Sequence, residues 1–157
     1  MDSLTSKFTE GEREQLCDLL GNVELTLLYK ASVHGYKASA FHQRCDRQGP
    51  TLLVAFNRSG YIFGGYTSVD YTQKCRQITD KKAFLFSFED ETLLCIKVKS
   101  GHNARFDDNK GPNFGQQLYF CYNNQPVVYH QRGNAFVFDA ETLYGNDTEL
   151  IECEVYK

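Results

Sequence analysis

The stretch that decides the fold is Gly49–Tyr66, with the sequence GPTLLVAFNRSGYIFGGY. Two runs rich in β-branched and aromatic residues, TLLVAF and YIFGGY, flank the tetrapeptide Asn57–Gly60. Asn and Gly readily adopt the backbone angles that tight turns need, so this pattern predicts a β-hairpin. Gly64 and Gly65 stand inside the second run, where adjacent glycines predict a bulge or the close approach of another part of the chain.

Further strands are expected downstream, because short apolar runs alternate there with turn residues. Phe84, Phe86 and Phe88 alternate with other residues, which predicts a strand with one aromatic face. The predicted strands are residues 83–88, 92–98, 118–122, 127–130, 135–138 and 149–156. The interval 100–117 is rich in Gly, Asn, Asp and Pro and predicts an ordered surface loop, where functional contacts often lie.

Helices are expected only in the first third of the chain. Thr9 and Glu12 have the spacing of a capping box, and Gly21 is suited to end the helix that they begin. The apolar face of that helix comprises Leu16, Leu19 and Leu20, with Leu4 and Phe8 expected to seat the segment against the domain.

A predicted strand over residues 24–30 precedes a second predicted helix, residues 37–45, which contains no Gly or Pro. Phe41 and Cys45, four residues apart, are expected to share its buried face. Many strands joined by turns favour an α+β, mainly β domain: a two-sheet antiparallel β-sandwich flanked by a few helices. We expect a helical segment over residues 1–22 that packs on one domain, residues 23–157.

Composition limits the function classes. The chain has 157 residues with a net charge of −3 spread over mixed acidic and basic side chains, which argues against nucleic acid as a partner. The sequence contains no run of about 18 apolar residues, so no membrane span is predicted. The N-terminus lacks a secretory signal pattern, and a cytoplasmic location is therefore expected. In that compartment the six cysteines are expected to be reduced and mostly buried.

The sequence contains no recognisable catalytic constellation. His42 and Cys45 could share a helical face, but a zinc site needs three or four ligands and no second cluster supplies them. We therefore expect a non-enzymatic domain without metal or cofactor. The charged side chains of the predicted loop, together with a histidine in a predicted turn, are the candidate partner-binding residues: His34, His102, Arg105, Asp107, Asp108 and Lys110. Solvation alone also accounts for a charged loop.

Several separated motifs resemble the TLDc domain family. They are the segment 27–36 (LLYKASVHGY), the hairpin stretch, residues 83–87 (AFLFS), residues 111–115 (GPNFG) and the C-terminal EVY of residues 154–156. The segments 30–36 and 49–52 are most similar to the N-terminal domain of the interferon-induced protein 44 group. The structural motif residues are Gly35, Gly49, Pro50, Gly60, Gly64, Gly65, Gly111, Gly115 and Glu154.

This resemblance implies a β-sandwich with flanking helices and a role in innate, antiviral immunity under interferon control. Members of that group carry a GTP-binding domain after the TLDc domain, whereas this chain has no phosphate-binding loop and is expected to be a fragment or a short member. Some TLDc proteins bind the vacuolar proton pump; this chain has Tyr71 where many of them have tryptophan.

Three functions follow. The first is a protein-interaction domain that binds an unidentified protein. The second, which draws on the six cysteines and on the family's association with oxidation resistance, is a thiol-based antioxidant. The third is a regulator that positions a following GTP-binding domain.

Overall fold

A computed structural model describes residues 9–89 and 91–157 of the chain. Its helices are α1 (Glu10–Leu19), α2 (Ala31–His34), α3 (Ala38–Cys45) and α4 (Ala140–Tyr144). Its strands are β1 (Leu27–Lys30), β2 (Thr51–Asn57), β3 (Ile62–Thr67), β4 (Arg76–Ile78), β5 (Phe84–Glu89), β6 (Thr92–Lys97), β7 (Arg105–Asp107), β8 (Asn113–Phe114), β9 (Leu118–Phe120), β10 (Val128–His130) and β11 (Leu150–Tyr156).

The described strands form three antiparallel sheets, and the fold is mainly β with a few helices. The largest sheet has the order β1-β11-β2-β3-β5-β6, the second has the order β10-β9-β8, and the third pairs β4 with β7. The α+β, mainly β class is confirmed. The two-sheet arrangement is met only in part, because the smaller strands divide between two sheets.

The middle of the central sheet is buried on both faces. Every residue of β2 is buried, so its alternating side chains enter two different cores. On one face, Leu53 and Ala55 pack with the helices α2 to α4 and the three-stranded sheet. On the other face, Leu52 and Val54 pack with Leu16 of α1 and with the predicted aromatic face of β5. The central sheet is therefore the layer that positions everything else.

The predicted hairpin is confirmed, and its second strand approaches its neighbours closely rather than bulging. The register of β2 with β3 runs without interruption from Thr51↔Thr67 to Phe56↔Ile62. A Cβ on Gly65 would lie 2.5 Å from Cζ of Phe114, so the absence of a side chain lets β8 pack directly on the central sheet.

The first helix begins as predicted. The amide of Glu12 donates to Oγ1 of Thr9 at 3.2 Å, and the amide of Thr9 donates to Oε1 of Glu12 at 3.0 Å, which completes the capping box. Its apolar face is narrower than expected, because Leu19 is 42% exposed whereas Leu16 is buried. Leu4 and Phe8 lie outside the described residues.

Two local predictions are wrong. Residues 135–138 form no strand; the chain bends there, and α4 follows instead. The interval 100–117 is not one loop, because it contains β7 and β8. Its polar side chains find buried partners that local sequence does not reveal. The strand predicted over residues 24–30 and the helix predicted over 37–45 are both present, as β1 and α3, and both begin later than predicted.

Candidate functional site

Arg105 is buried rather than presented to a partner. It is only 1% exposed, and its Nη2 donates to the carbonyl oxygens of Val69 at 2.6 Å and Asp70 at 2.9 Å. The guanidinium lies over the Tyr71 ring, 4.1 Å from its centroid, and Nε donates to Oγ1 of Thr67 at 3.2 Å. Arg105 therefore fastens the segment 67–71 to β7, and its side chain is buried rather than exposed on the loop surface where a partner contact was predicted.

Asp107 is buried beside it. Its carboxylate accepts hydrogen bonds from the amides of Thr72 at 3.1 Å and Gln73 at 3.1 Å, and its Oδ1 lies 3.6 Å from Nη1 of Arg105. Burial acts to raise the pKa of Asp107, but the hydrogen bonds from Thr72 and the neighbouring amides outweigh it, so the pKa lies below its ordinary value. Asp107 thus holds the turn after Tyr71, and its carboxylate is likewise buried rather than exposed on a loop surface.

The remaining predicted contact residues separate into three places. His102 is half-buried and lines a cavity of about 530 Å³ beside Lys99. His34 lies at the end of α2, where its Nδ1 accepts from the amide of Lys30 at 3.0 Å. Burial and the neighbouring Arg44 lower the pKa of His34. Asp108 and Lys110 lie together in the segment after β7, and the amide of Lys110 donates to Oδ1 of Asp108 at 3.0 Å.

A cavity of about 490 Å³ opens beside Lys110, and three tyrosines dominate its wall. The rings of Tyr122 and Tyr129 are stacked with centroids 4.5 Å apart and planes 21° apart, and the ring of Tyr119 lies 5.9 Å from each. The rest of the lining comprises Ala38, Asn109, Lys110, Gly111, Phe120, Asn123, Asn124 and Gln131. We call this the tyrosine cavity; its volume is within the range of about 300–1,000 Å³ that small-molecule and cofactor pockets occupy.

The backbone of the three-stranded sheet holds these tyrosines in place. Tyr119 of β9 and Tyr129 of β10 are directly paired across the antiparallel ladder, so their side chains are on the same face. Tyr122 follows β9 in a tight turn whose flanking residues Cys121 and Asn123 have φ angles of +53° and +55°. Left-handed backbone is rare outside glycine and concentrates where surrounding structure fixes a functional geometry.

His42 of α3 contacts the backbone of Lys110, which is part of the lining of the tyrosine cavity. It is buried, with Nε2 2.6 Å from the carbonyl oxygen of Lys110 and Nδ1 2.7 Å from Oδ1 of Asp46. Both partners are acceptors, so both contacts are hydrogen bonds only when each ring nitrogen carries a hydrogen. Gln73 donates to the other oxygen of Asp46 at 2.6 Å. His42 therefore ties the segment at Lys110 to α3 and, through Asp46, to the turn that Asp107 holds.

A second ionic group lies at the β1 edge of the central sheet. Lys30 of β1 places Nζ 2.9 Å from carboxylate oxygens of both Glu152 and Glu154 of β11, and Ser32 donates its amide to Glu152 at 3.0 Å. Burial acts to raise the pKa of Glu152, but the hydrogen bonds from Ser32 and Lys30 outweigh it and the pKa is lowered. Because these groups satisfy one another, they join β1, α2 and β11 and serve the fold.

The cysteines are free in the structure. Burial raises the pKa values of the Cys45 and Cys95 thiols, and contact with Cys121 together with burial raises that of Cys153. Such thiols stay protonated and unreactive at neutral pH. Cys75 is the exposed cysteine of the described chain and has a φ angle of +59°.

Within residues 9–89 and 91–157, no group of three His, Cys, Asp or Glu side chains is arranged to hold a metal ion. In the same part of the chain, no helix has the length and apolar character needed to cross a bilayer.

The fold and the site together define a class: a mainly β domain with a cavity lined by aromatic side chains, next to a network of buried polar groups. The chain belongs to the TLDc domain family, whose model matches residues 6–157. The resemblance found in the sequence is thereby confirmed at the level of the family.

Curated relatives come from two groups of TLDc proteins. Mouse "MTOR-associated protein MEAK7" is 34% identical over 91 residues, which is 58% of this chain and 19% of that protein. Human "Interferon-induced protein 44" is 35% identical over 110 residues, 61% of this chain and 23% of that protein. Human "Interferon-induced protein 44-like" is 45% identical over 53 residues, 34% of this chain and 12% of that protein. The chain thus spans less than a quarter of the length of each.

Sequence reasoning missed the tyrosine cavity, although its signal was present. Tyr119 lies in the predicted strand 118–122 and Tyr129 lies in the predicted strand 127–130, and a short connection joins the two strands. Tyr122 stands between these two tyrosines in the sequence. Pairing those strands would have placed the rings together. The prediction singled out charge instead and so found only Asp108 and Lys110 of this region.

Proposed function

We propose that this TLDc domain is a non-catalytic protein-interaction domain of an interferon-induced, innate immune protein in the cytoplasm, and that the tyrosine cavity is its contact surface. The observation that carries the proposal is the cluster of three tyrosines around an open cavity, in which Tyr129 is 39% exposed. Tyrosine is enriched at protein interfaces because it offers a large apolar area and a hydroxyl with few rotatable bonds.

Two further facts support recognition over chemistry. The ionisable groups buried in the described chain, such as Arg105 with Asp107 and Lys30 with Glu152, are held by their neighbours and serve the frame. The printed names of the relatives mention association with MTOR and induction by interferon. These names fit a domain that binds other proteins in an immune response.

The test is affinity capture from the cytosol of interferon-treated cells, with the folded domain as bait. The double variant Tyr122→Ala/Tyr129→Ala removes the stacked pair and is expected to abolish saturable capture. Arg58→Glu is the matched control, because Arg58 is exposed and pairs with Glu149 away from the lining of the cavity. Equal capture by the double variant and the wild type contradicts the proposal.

A thiol-based antioxidant is the alternative, and less supports it. The raised pKa values of Cys45, Cys95 and Cys153 oppose formation of the nucleophilic thiolate. Cys75 is left as the accessible candidate. Peroxide consumption by the wild type that Cys75→Ser abolishes would establish this function instead.

A further inference from the structure

We propose that the tyrosine cavity binds an extended, proline-containing peptide segment of the partner protein in the polyproline II conformation. The inference rests on the proposed function and specifies its ligand. Four features of the cavity lead to it: its aromatic geometry, its hydrogen-bond donors, its charge and its rigidity.

The aromatic geometry provides clefts between inclined rings. Tyr122 and Tyr129 are stacked with centroids 4.5 Å apart, and Tyr119 is inclined to them by 66° and 47°. Clefts between inclined rings suit the compact, non-planar pyrrolidine ring of proline. Aromatic-lined grooves are the usual receptors of proline-rich segments.

The donors match a backbone whose carbonyls have no internal partners. In the polyproline II helix the carbonyl oxygens are free to accept, and proline offers no N–H in return. The side-chain Oδ1 of Asn124 accepts from the amide of Ala38 at 2.8 Å, so the Asn124 amide group is oriented with its NH₂ as the free end. The hydroxyls of Tyr122 and Tyr129 donate to no partner within residues 9–89 and 91–157. Asn124, Tyr122 and Tyr129 therefore offer hydrogen-bond donors to such a peptide.

The charge of the cavity suits an uncharged ligand. Among the described residues of the lining, Lys110 is the one that carries a charge. The Asp108 carboxylate lies near the cavity, since burial and, after it, Asp108 raise the pKa of Tyr119. One cation balanced by one anion attracts neither a phosphate nor a strongly charged helix. A neutral proline-containing segment loses no charge hydration on entering such a site.

The rigidity of the cavity lowers the entropy lost on binding. Cys121, Asn123 and Asn124 all have positive φ angles, and Asn124 is tied to α3 through Ala38. Gln131 donates to the carbonyl oxygen of Gln116 at 2.7 Å and lies 3.3 Å from the hydroxyl of Tyr119. A preformed site and a peptide already restricted by proline both lose little conformational freedom, which increases affinity.

The experiment is an NMR titration of the ¹⁵N-labelled chain with a panel of end-blocked peptides that share a Pro-X-X-Pro core and differ at X. The control panel replaces both prolines by alanine. We expect saturable shifts confined to the amides around Tyr119, Tyr122 and Tyr129 and at least tenfold weaker binding of the alanine panel. Tyr129→Ala is expected to weaken binding at least tenfold, whereas Arg58→Glu, on the exposed Arg58–Glu149 pair, is expected to leave it unchanged.

Each other outcome overturns a distinct claim. Absence of shifts with every proline peptide, while cellular capture still depends on Tyr122 and Tyr129, overturns the ligand class and keeps the proposed function. Capture that is indifferent to those tyrosines overturns the proposed function. Shifts of equal size with the alanine panel overturn the role of proline. The milder variant Tyr122→Phe retains the ring, so a loss of binding there at unchanged dispersion of the spectrum cannot be attributed to unfolding.

Discussion

The β2–β3 hairpin and the segment from β7 to β8 both contain buried side chains, which are held by different forces. The hairpin is apolar, with Leu53 and Val54 facing opposite cores. The later segment is held by Arg105 and Asp107, which replace water with backbone carbonyls and amides from the segment 67–74. An apolar strand can be recognised from neighbouring residues in the sequence. The burial of Arg105 instead depends on the carbonyl oxygens of Val69 and Asp70, some 35 residues away.

The largest expected effect comes from breaking the buried pair. Arg105→Met leaves Asp107 without its cation and the carbonyls of Val69 and Asp70 without their donor. Removing one partner of a buried pair destabilises by about 3–5 kcal/mol. Urea unfolding measures the change.

The matched control for that variant is Arg58→Met. The side chains of Arg58 and Glu149 are 70% and 54% exposed, and a surface ion pair contributes about 0–1 kcal/mol. Equal losses of stability for the two variants would contradict the structural role of Arg105.

A smaller loss is expected where the two regions touch. Gly65→Val places a side chain against the Phe114 ring, and overpacking of this kind destabilises by about 1–3 kcal/mol. Gly11→Ala is the control, because a Cβ at Gly11 meets nothing within 4 Å. Thermal unfolding of both variants distinguishes close packing from a general intolerance of side chains at glycine positions.

At low pH, the segment 67–74, which polar contacts hold, should lose protection from hydrogen exchange before the apolar strand β2. The pKa values of Asp80, Asp107 and Glu152 lie below their ordinary values, because hydrogen bonds outweigh the opposite effect of burial. A depressed pKa means that the carboxylate stabilises the fold above about pH 4 to 4.5 and that this contribution disappears as pH falls through the folded-state pKa. Hydrogen exchange below pH 4 is expected to rise first in the segment 67–74. Earlier exchange in β2 would contradict this order.

A loss of similar size is expected at His42. His42→Phe removes the contacts of the two ring nitrogens with Lys110 and Asp46, with an expected loss of about 1–3 kcal/mol. The amide resonances of Lys110 and Gly111 should shift, because the segment is no longer tied to α3. Unchanged resonances of Lys110 and Gly111 would show that this part of the cavity lining keeps its position without His42.

The elements that sequence predicted share one property: their signals are local. The capping box at Thr9, the turn at Gly60 and the alternation at Phe84 each lie within a few residues. The strand β7 was not predicted, because a charged Arg-Phe-Asp sequence is typical of a solvated loop. The sequence alone does not show that groups of the segment 67–74 pair with these charges. The site escaped for the same reason, since Tyr119 and Tyr129 meet only when β9 and β10 pair.

The central claim is that the buried charged groups stabilise the fold, whereas the tyrosines of the cavity bind a partner. One measurement tests this claim. It compares free energy of unfolding and partner affinity in the same Tyr129→Ala protein. Tyr129 is partly exposed, so we expect a loss of stability below about 1 kcal/mol together with at least a tenfold loss of affinity. Unchanged affinity at unchanged stability would contradict the account and move the contact surface elsewhere on the domain.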